Sequence, residues 1–123
     1  MARYVDGFVI PVPNGQVAAY RRLARKAGKI WMEYGALQYV ECVADDVKPG
    51  KLTSFPQSVK LKPGETVIFA WIVYGSRAQR DRINTKVMAD PRLAGMSMEN
   101  VPFDVKRMIF GGFKAIVDLE QSG

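Results

Sequence analysis

Two carboxylates interrupt otherwise apolar stretches of this 123-residue chain. Asp6 sits in "RYVDGFVIPV" and Glu41 in "ALQYVECVAD". A carboxylate among apolar neighbours must be paired or neutralised, because an uncompensated buried charge is costly. Burial also raises its pKa, which suits a general base or a polar anchor in an apolar pocket. The competing and favoured reading is a structural ion pair at a subunit interface. Lys106 or Arg107, entering the last strand beside the first, is the natural partner for Asp6. Tyr39 and Trp71 belong to an aromatic set with Phe69, Phe110 and Phe113. That set reads first as core and second as the lining of a pocket for a flat organic molecule. Asp6, Tyr39, Glu41, Trp71 and Arg107 are therefore the candidates for contact with a substrate, and no catalytic residue is assigned.

Other clusters carry less. Asp45 and Asp46, followed by "KPGK", read as turn formers whose side chains bond nearby backbone N–H groups. Arg77, Arg80, Arg82 and Lys86 could grip an anion, but a solvated mixed-charge helix face is the plainer expectation. Histidine is absent, which removes the usual base near neutral pH and the commonest metal ligand. Cys42 is the only cysteine, so no intrachain disulfide can form, and its apolar context predicts a buried, inert thiol. No metal site and no cofactor are expected. The net charge of +6 raises an anionic partner, with Arg21, Arg22, Arg25, Lys26 and Lys29 as its best footprint. No apolar run suggests a membrane span, and the start reads as a strand, so the expected compartment is the cytoplasm.

The elements that must position these residues follow from periodicity. A strand is expected over about 3–12, ended by Pro11 and Pro13. A helix over about 15–34 carries Val17, Tyr20, Ala24, Ala27, Trp31 and Tyr34 at helical spacing, and Gly35 stops it. A second strand spans about 36–44. The long connection 45–64 has the length of a functional loop, and "LTSF" within it could pair as an edge strand. "ETVIFAWIVYG", about 65–74, reads as a strand buried on both faces. Ser76 caps a second helix over about 76–90 with the thin stripe Ala78, Ile83, Val87 and Met88. Residues 92–104 read as irregular, and the last strand as about 106–117.

This order predicts one α+β domain over residues 1–123. It is a ferredoxin-like βαββαβ unit with a four-stranded antiparallel sheet and both helices on one face. Two helices leave the other face of an apolar sheet uncovered. The expected cover is a second copy, two sheets face to face, as in a dimeric α/β barrel. In "MIFGGFKAIV", Gly111 and Gly112 leave gaps on opposite faces. One gap could admit a helix ring such as Trp31 or Tyr34. The other could admit a ring of the partner sheet or a small molecule, and a simple bulge is the alternative.

Three blocks, "DDVKPGKLTSFP", "ETVIFAWIVYGSRAQRDRINTKVMADPRL" and "PFDVKRMIFGGF", resemble an uncharacterised bacterial family catalogued as a domain of unknown function, number 1428. Its members resemble the dimeric α/β-barrel superfamily. The resemblance implies a ferredoxin-like subunit paired through its sheets, and brings no established activity. Superfamily relatives include cofactor-independent monooxygenases, muconolactone isomerases, haem-degrading enzymes and chlorite dismutases, several of which use a cavity between sheet and helices. The haem-binding histidine of the haem-dependent members has no counterpart here.

The expected function is that of a small cytoplasmic homodimer binding or converting a small aromatic or lipophilic metabolite without a cofactor. The alternative is a non-enzymatic dimeric interaction or stress-related protein. A second alternative is an anion or RNA binder using the first helix. Nucleic acid is disfavoured because the third strand carries no basic residue and a sheet buried in a dimer cannot stack bases.

Overall fold

Alternating apolar residues in the first strand and nearly continuous ones in the third place those two strands at the centre of a sheet. A computed structural model describes residues 2–93 and 101–122. Its strands are β1 (Tyr4–Pro13), β2 (Gln38–Val43), β3 (Glu65–Tyr74) and β4 (Ile109–Lys114). Its helices are α1 (Val17–Glu33), α2 (Phe55–Ser58) and α3 (Arg77–Met88). The sheet order is β2-β3-β1-β4, antiparallel throughout. This is the ferredoxin-like arrangement, with β2 at one edge and β4 at the other.

The helix termini are chemically defined. Gly35 ends the α1 turn at φ 112°, a left-handed conformation that favours glycine. Ser76 caps α3, its Oγ accepting from the Gln79 N–H at 3.2 Å. Ser54 caps α2 in the same way through Gln57. That cap is why "LTSF" opens a helical turn instead of pairing as an edge strand.

Most of the core lies on the helix face. Tyr20 and Ala24 of α1 pack on Ile10, Val12, Ile68 and Ala70. Ile30 of α1 and Ile83 and Val87 of α3 pack on Ile72 and Tyr74. The expected α3 stripe is therefore only half real: Ala78 and Met88 are exposed. On the opposite face, Val59 after α2 covers Val9 and Val67. The connection 45–64 thus shields one end of that face.

Several other expectations need correction. β1 runs through Pro11 and Pro13, which pair in register with Val67 and Glu65. β4 stops opposite Val9, so beyond it β1 has one vacant flank. A proline whose nitrogen faces that flank costs the ladder no bond. β4 is shorter than expected, because the chain turns just before it and Asp104 accepts the backbone N–H of Lys106. Part of the irregular stretch 92–104 (residues 94–100) lies outside the described residues. Cys42 is exposed, since it points to the less covered face. In the single chain β3 is not buried on both faces: Phe69 is 42% exposed, and Phe110 and Phe113 of the aromatic set reach 71% and 64%.

Gly111 and Gly112 make no bulge, for β1 and β4 stay in continuous register across them. The rings that fill the gaps come from the sheet itself. A Cβ on Gly112 would lie 2.5 Å from the Tyr4 hydroxyl oxygen, and one on Gly111 3.6 Å from the Phe113 ring. Neither Trp31 nor Tyr34 occupies them.

Arg107 does not reach Asp6. It donates to both carboxylate oxygens of Glu65, at 2.8 and 2.6 Å, to Asp104 at 2.8 Å and to the Lys60 carbonyl at 3.0 Å. One guanidinium fork so ties the start of β3 to the turn before β4 and to the end of the 45–64 connection. Its bonds hold the Glu65 carboxyl below the ordinary value of 4.5. A lowered acid stabilises the fold above its unfolded value and loses that contribution as pH falls through the lowered one. Arg107→Met is therefore expected to lower the urea midpoint most at neutral pH, with the gap to wild type narrowing below about pH 4.5. A gap that stays constant down to acid pH would remove this role for the pair.

Candidate functional site

β2 is an edge strand, and its helix-side positions are Tyr39, Glu41 and Val43. Two residues apart on one face, Tyr39 and Glu41 touch: the Tyr39 hydroxyl donates to Glu41 Oε2 at 2.7 Å. A second phenol, Tyr20 from α1, donates to Glu41 Oε1. Burial raises the Glu41 pKa, and the two phenolic bonds only partly oppose that rise. Burial, and then the charge of Glu41, push both phenols well above the ordinary tyrosine value, so they stay protonated as donors. The result is one half-buried carboxylate held by two neutral hydroxyls, with no cation among its hydrogen-bond partners in the described residues.

A glycine makes the arrangement sterically feasible. The Tyr39 ring lies against Gly28 of α1, where a Cβ would come within 2.6 Å of a ring carbon. Trp31, one turn along α1, flanks the same ring at a centroid distance of 6.1 Å. Its Nε1 donates to Asn84 Oδ1 on α3 at 3.1 Å, which fixes the indole.

Two spaces meet at this trio. An inner cavity of about 170 Å³ lies between α1 and the sheet, lined by Phe8, Trp31, Phe103 and Met108 among others. Three alanines, Ala24 and Ala27 on the helix and Ala70 on β3, leave the room. Ala70 pairs with Glu41 on one side and with Phe8 on the other, so the small residue lies between the carboxylate and the ring. An outer cleft of about 1010 Å³ opens along α1 and β2, and it shares Tyr20, Ala24, Tyr39 and Glu41 with the cavity. Phe103 stacks edge-on against Tyr20 at 5.5 Å and closes another wall.

Chemically, the carboxylate can take a proton from an acidic C–H or O–H of a ligand whose apolar part occupies the cavity, and the phenols can donate hydrogen bonds. No group of three or more His, Cys, Asp and Glu side chains able to hold a metal occurs among the described residues.

Of the five sequence candidates, Tyr39 and Glu41 touch each other, and Trp71 also borders the inner cavity from β3. Asp6 lies two strands away in the cross-strand row of Tyr39 and Ile72, roughly 10 Å across the sheet. It is buried, and its partner is Arg80 of α3 at 3.2 Å. Arg80 also stacks over the Tyr4 ring at 4.8 Å. Arg80 is therefore turned inward and is no part of an anion grip on the α3 surface. Burial raises the Asp6 pKa, and Arg80 opposes it. Trp71 faces the other side of the sheet, donating from Nε1 to Gln38 at 3.0 Å. Arg107 serves the latch described above. Sequence reasoning missed Tyr20 as a site residue because its place in the α1 stripe marked it as core. It missed the roles of Gly28 and Ala70 because a space has no pattern of its own.

The sheet order defines a ferredoxin-like α+β protein, with a half-buried carboxylate between helix and sheet. The chain belongs to the family described as Protein of unknown function (DUF1428), which matches residues 3–105. It is 50% identical over 116 residues to the Uncharacterized protein YbaA of Escherichia coli (strain K12), covering 94% of this chain and 98% of that one. The Shigella flexneri protein of the same name matches equally. Among solved structures it is similar to an uncharacterized NIPSNAP domain protein from Burkholderia xenovorans, with TM-score 0.61 and 13% identity over 96% of this chain and 99% of that one. A nipsnap family protein with unknown function from Agrobacterium tumefaciens gives TM-score 0.57 and 16% identity, covering 93% and 88%. At these identities the structures support the fold alone. No helix among the described residues is long and apolar enough to cross a membrane.

Two outcomes follow from the site. In an open helix Gly28→Ala would gain about 1 kcal/mol, but here overpacking against the Tyr39 ring costs about 1–3 kcal/mol. Gly28→Ala is therefore expected to destabilise the protein in urea titration, and a net gain would contradict the packing of Tyr39. Glu41 carries the opposite pH sign to Glu65. Its folded pKa is raised, so its contribution is fully present below the ordinary 4.5 and is lost as pH rises through the folded value. Glu41→Gln should gain stability relative to wild type as pH rises across that window. A relative loss over the same range would mean the carboxylate is better solvated than its burial implies.

Proposed function

We propose that this protein is a cytoplasmic homodimer that takes a small aromatic or lipophilic metabolite into the cavity between α1 and the sheet. There, without a cofactor, it moves a proton at Glu41. The observation that carries the reading is a carboxylate of raised pKa at the mouth of an apolar cavity, oriented by Tyr20 and Tyr39. The cavity has about the size of an engineered 150 Å³ apolar cavity that accepts benzene, so one six-membered ring is a suitable guest. In the carboxylate form Glu41 removes a proton from an activated carbon; the neutral carboxyl that results holds the two Tyr hydroxyls less strongly, which frees one to donate to the charge left on the substrate. Return of the same proton to another carbon completes an isomerisation with nothing gained or lost.

The homodimer rests on the second face of the sheet. Phe69, Ile109 and Phe113 stand there 42%, 45% and 64% exposed. Ile116, Val117 and Leu119 follow β4 and are 91%, 75% and 90% exposed. Arg3 holds that stretch through Asp118 at 3.1 Å and Glu120 at 2.6 Å. A patch of this kind calls for a partner, and a twin sheet offers the same surface in return.

Phenol and toluene titrated in a thermal-shift assay should raise the melting temperature in a saturable way, following RT ln(1 + [L]/Kd). Ala24→Leu should block the effect by filling the cavity. A flat response across neutral single-ring compounds would end the pocket reading and favour a non-enzymatic interaction protein. In sedimentation equilibrium at micromolar concentration the chain should be a dimer and Phe113→Glu a monomer. A wild-type monomer would refute the pairing.

A further inference from the structure

The outer cleft is not electrically neutral, and its cations are arranged in a line. Arg21, Arg25 and Lys29 follow one another at four-residue steps on α1 and all border the cleft. That spacing stacks them on one helix face. Among the described residues none of the three enters a salt bridge, whereas Arg3, Arg80, Arg92 and Arg107 all do. The two carboxylates of the cleft leave these cations unanswered. Glu33 is taken by Arg92 at 2.6 Å, and Glu41 is held by the two phenols. The stripe therefore borders an apolar cavity mouth with three positive charges and, among the described residues, no ionic partner.

We propose that the natural ligand is an amphipathic carboxylate: a single ring or short acyl chain in the inner cavity, with its carboxylate resting on Arg21, Arg25 and Lys29. This rests on the cavity reading above and adds to it the charge and polarity of the ligand. A guanidinium fork matches a carboxylate in two-bond geometry, and two forks one turn apart let a flexible acid choose its reach. The long axis of such a ligand runs from the rim past Glu41 to the ring site. That places the carbons next to its carboxylate beside the proton acceptor.

The test compares 3-phenylpropanoate with 3-phenylpropanamide, by NMR titration of the full chain at low salt. The pair differs in charge and little in shape. The acid should bind about fivefold more tightly or better, the upper end of what one exposed ion pair supplies. That preference should fall with added salt and vanish in Arg21→Gln/Arg25→Gln. Arg22→Gln/Lys26→Gln removes the same charge from α1 at positions that do not border this cleft. It should leave the preference intact. Equal binding of acid and amide overturns this inference while the cavity reading stands. Equal loss in the two double variants means a diffuse field and overturns it as well. Inorganic phosphate displacing the acid at equal concentration would assign the stripe to phosphate chemistry instead. Failure of both ligands, with the neutral aromatics also inert, brings down the cavity reading and this inference together.

Discussion

A carboxylate removed from water must find donors, and Glu41 finds two phenols and no cation. The distinction matters. A buried acid facing a guanidinium is tied up as an ion pair, even where, as at Asp6, burial still leaves its pKa raised. A buried acid held by neutral hydroxyls keeps a raised pKa and remains available. Both kinds occur on the same face of this sheet. Asp6 is compensated by Arg80 and reads as structure. Glu41 is left polar and uncompensated beside an empty apolar volume. The fold solves the same electrostatic problem in two ways, with a guanidinium at Asp6 and with two phenols at Glu41.

The remaining features of the site are consequences of making that arrangement fit. Tyr39 can lean on α1 only because position 28 has no side chain. The cavity exists because Ala24, Ala27 and Ala70 stand where larger apolar residues would have filled the gap. Larger side chains at these three positions would occupy the same space. Phe103 closes the far wall, and its segment is anchored by the Arg107 fork through Asp104 and Glu65. The latch at the strand ends and the wall of the cavity are therefore one mechanical unit, although Arg107 touches no part of the site.

What the sequence disclosed divides along physical lines. Periodicity is local, and so α1, β3, α3 and the sheet's strand order were legible, as were Gly35 and Ser76 at helix termini. Glu41 and Tyr39 were legible because a polar residue inside an apolar strand is conspicuous and because alternation puts them on one face. Partner choice was not legible. Asp6 could draw a cation from any element packed on it, and α3 won over the entry to β4. The prolines of β1 misled because their cost depends on whether a neighbouring strand extends that far, and β4 does not. The glycine pair misled in the opposite sense. The gaps were real, but Tyr4 from the adjacent strand was nearer than any helix ring. Cys42 and the strand aromatics were read as buried because their apolarity was taken as proof of cover.

That last error points to the asymmetry of the sheet. On the helix side most large apolar residues are covered, Phe110 at the β4 edge excepted, and small ones border the cavity. On the other side, α2 and Val59 cover one end, and Arg3 draws the stretch after β4 across another. Between them Phe69, Trp71 and Phe113 form an aromatic strip with no basic residue on β3. Such a strip lacks the cations that would hold a nucleic-acid backbone in place for stacking. It has, instead, the composition of an interior cut in half. Glu41 lies on the far side of the same strands. A partner on that strip would touch the opposite face of the sheet from the cavity and none of the side chains that hold Glu41.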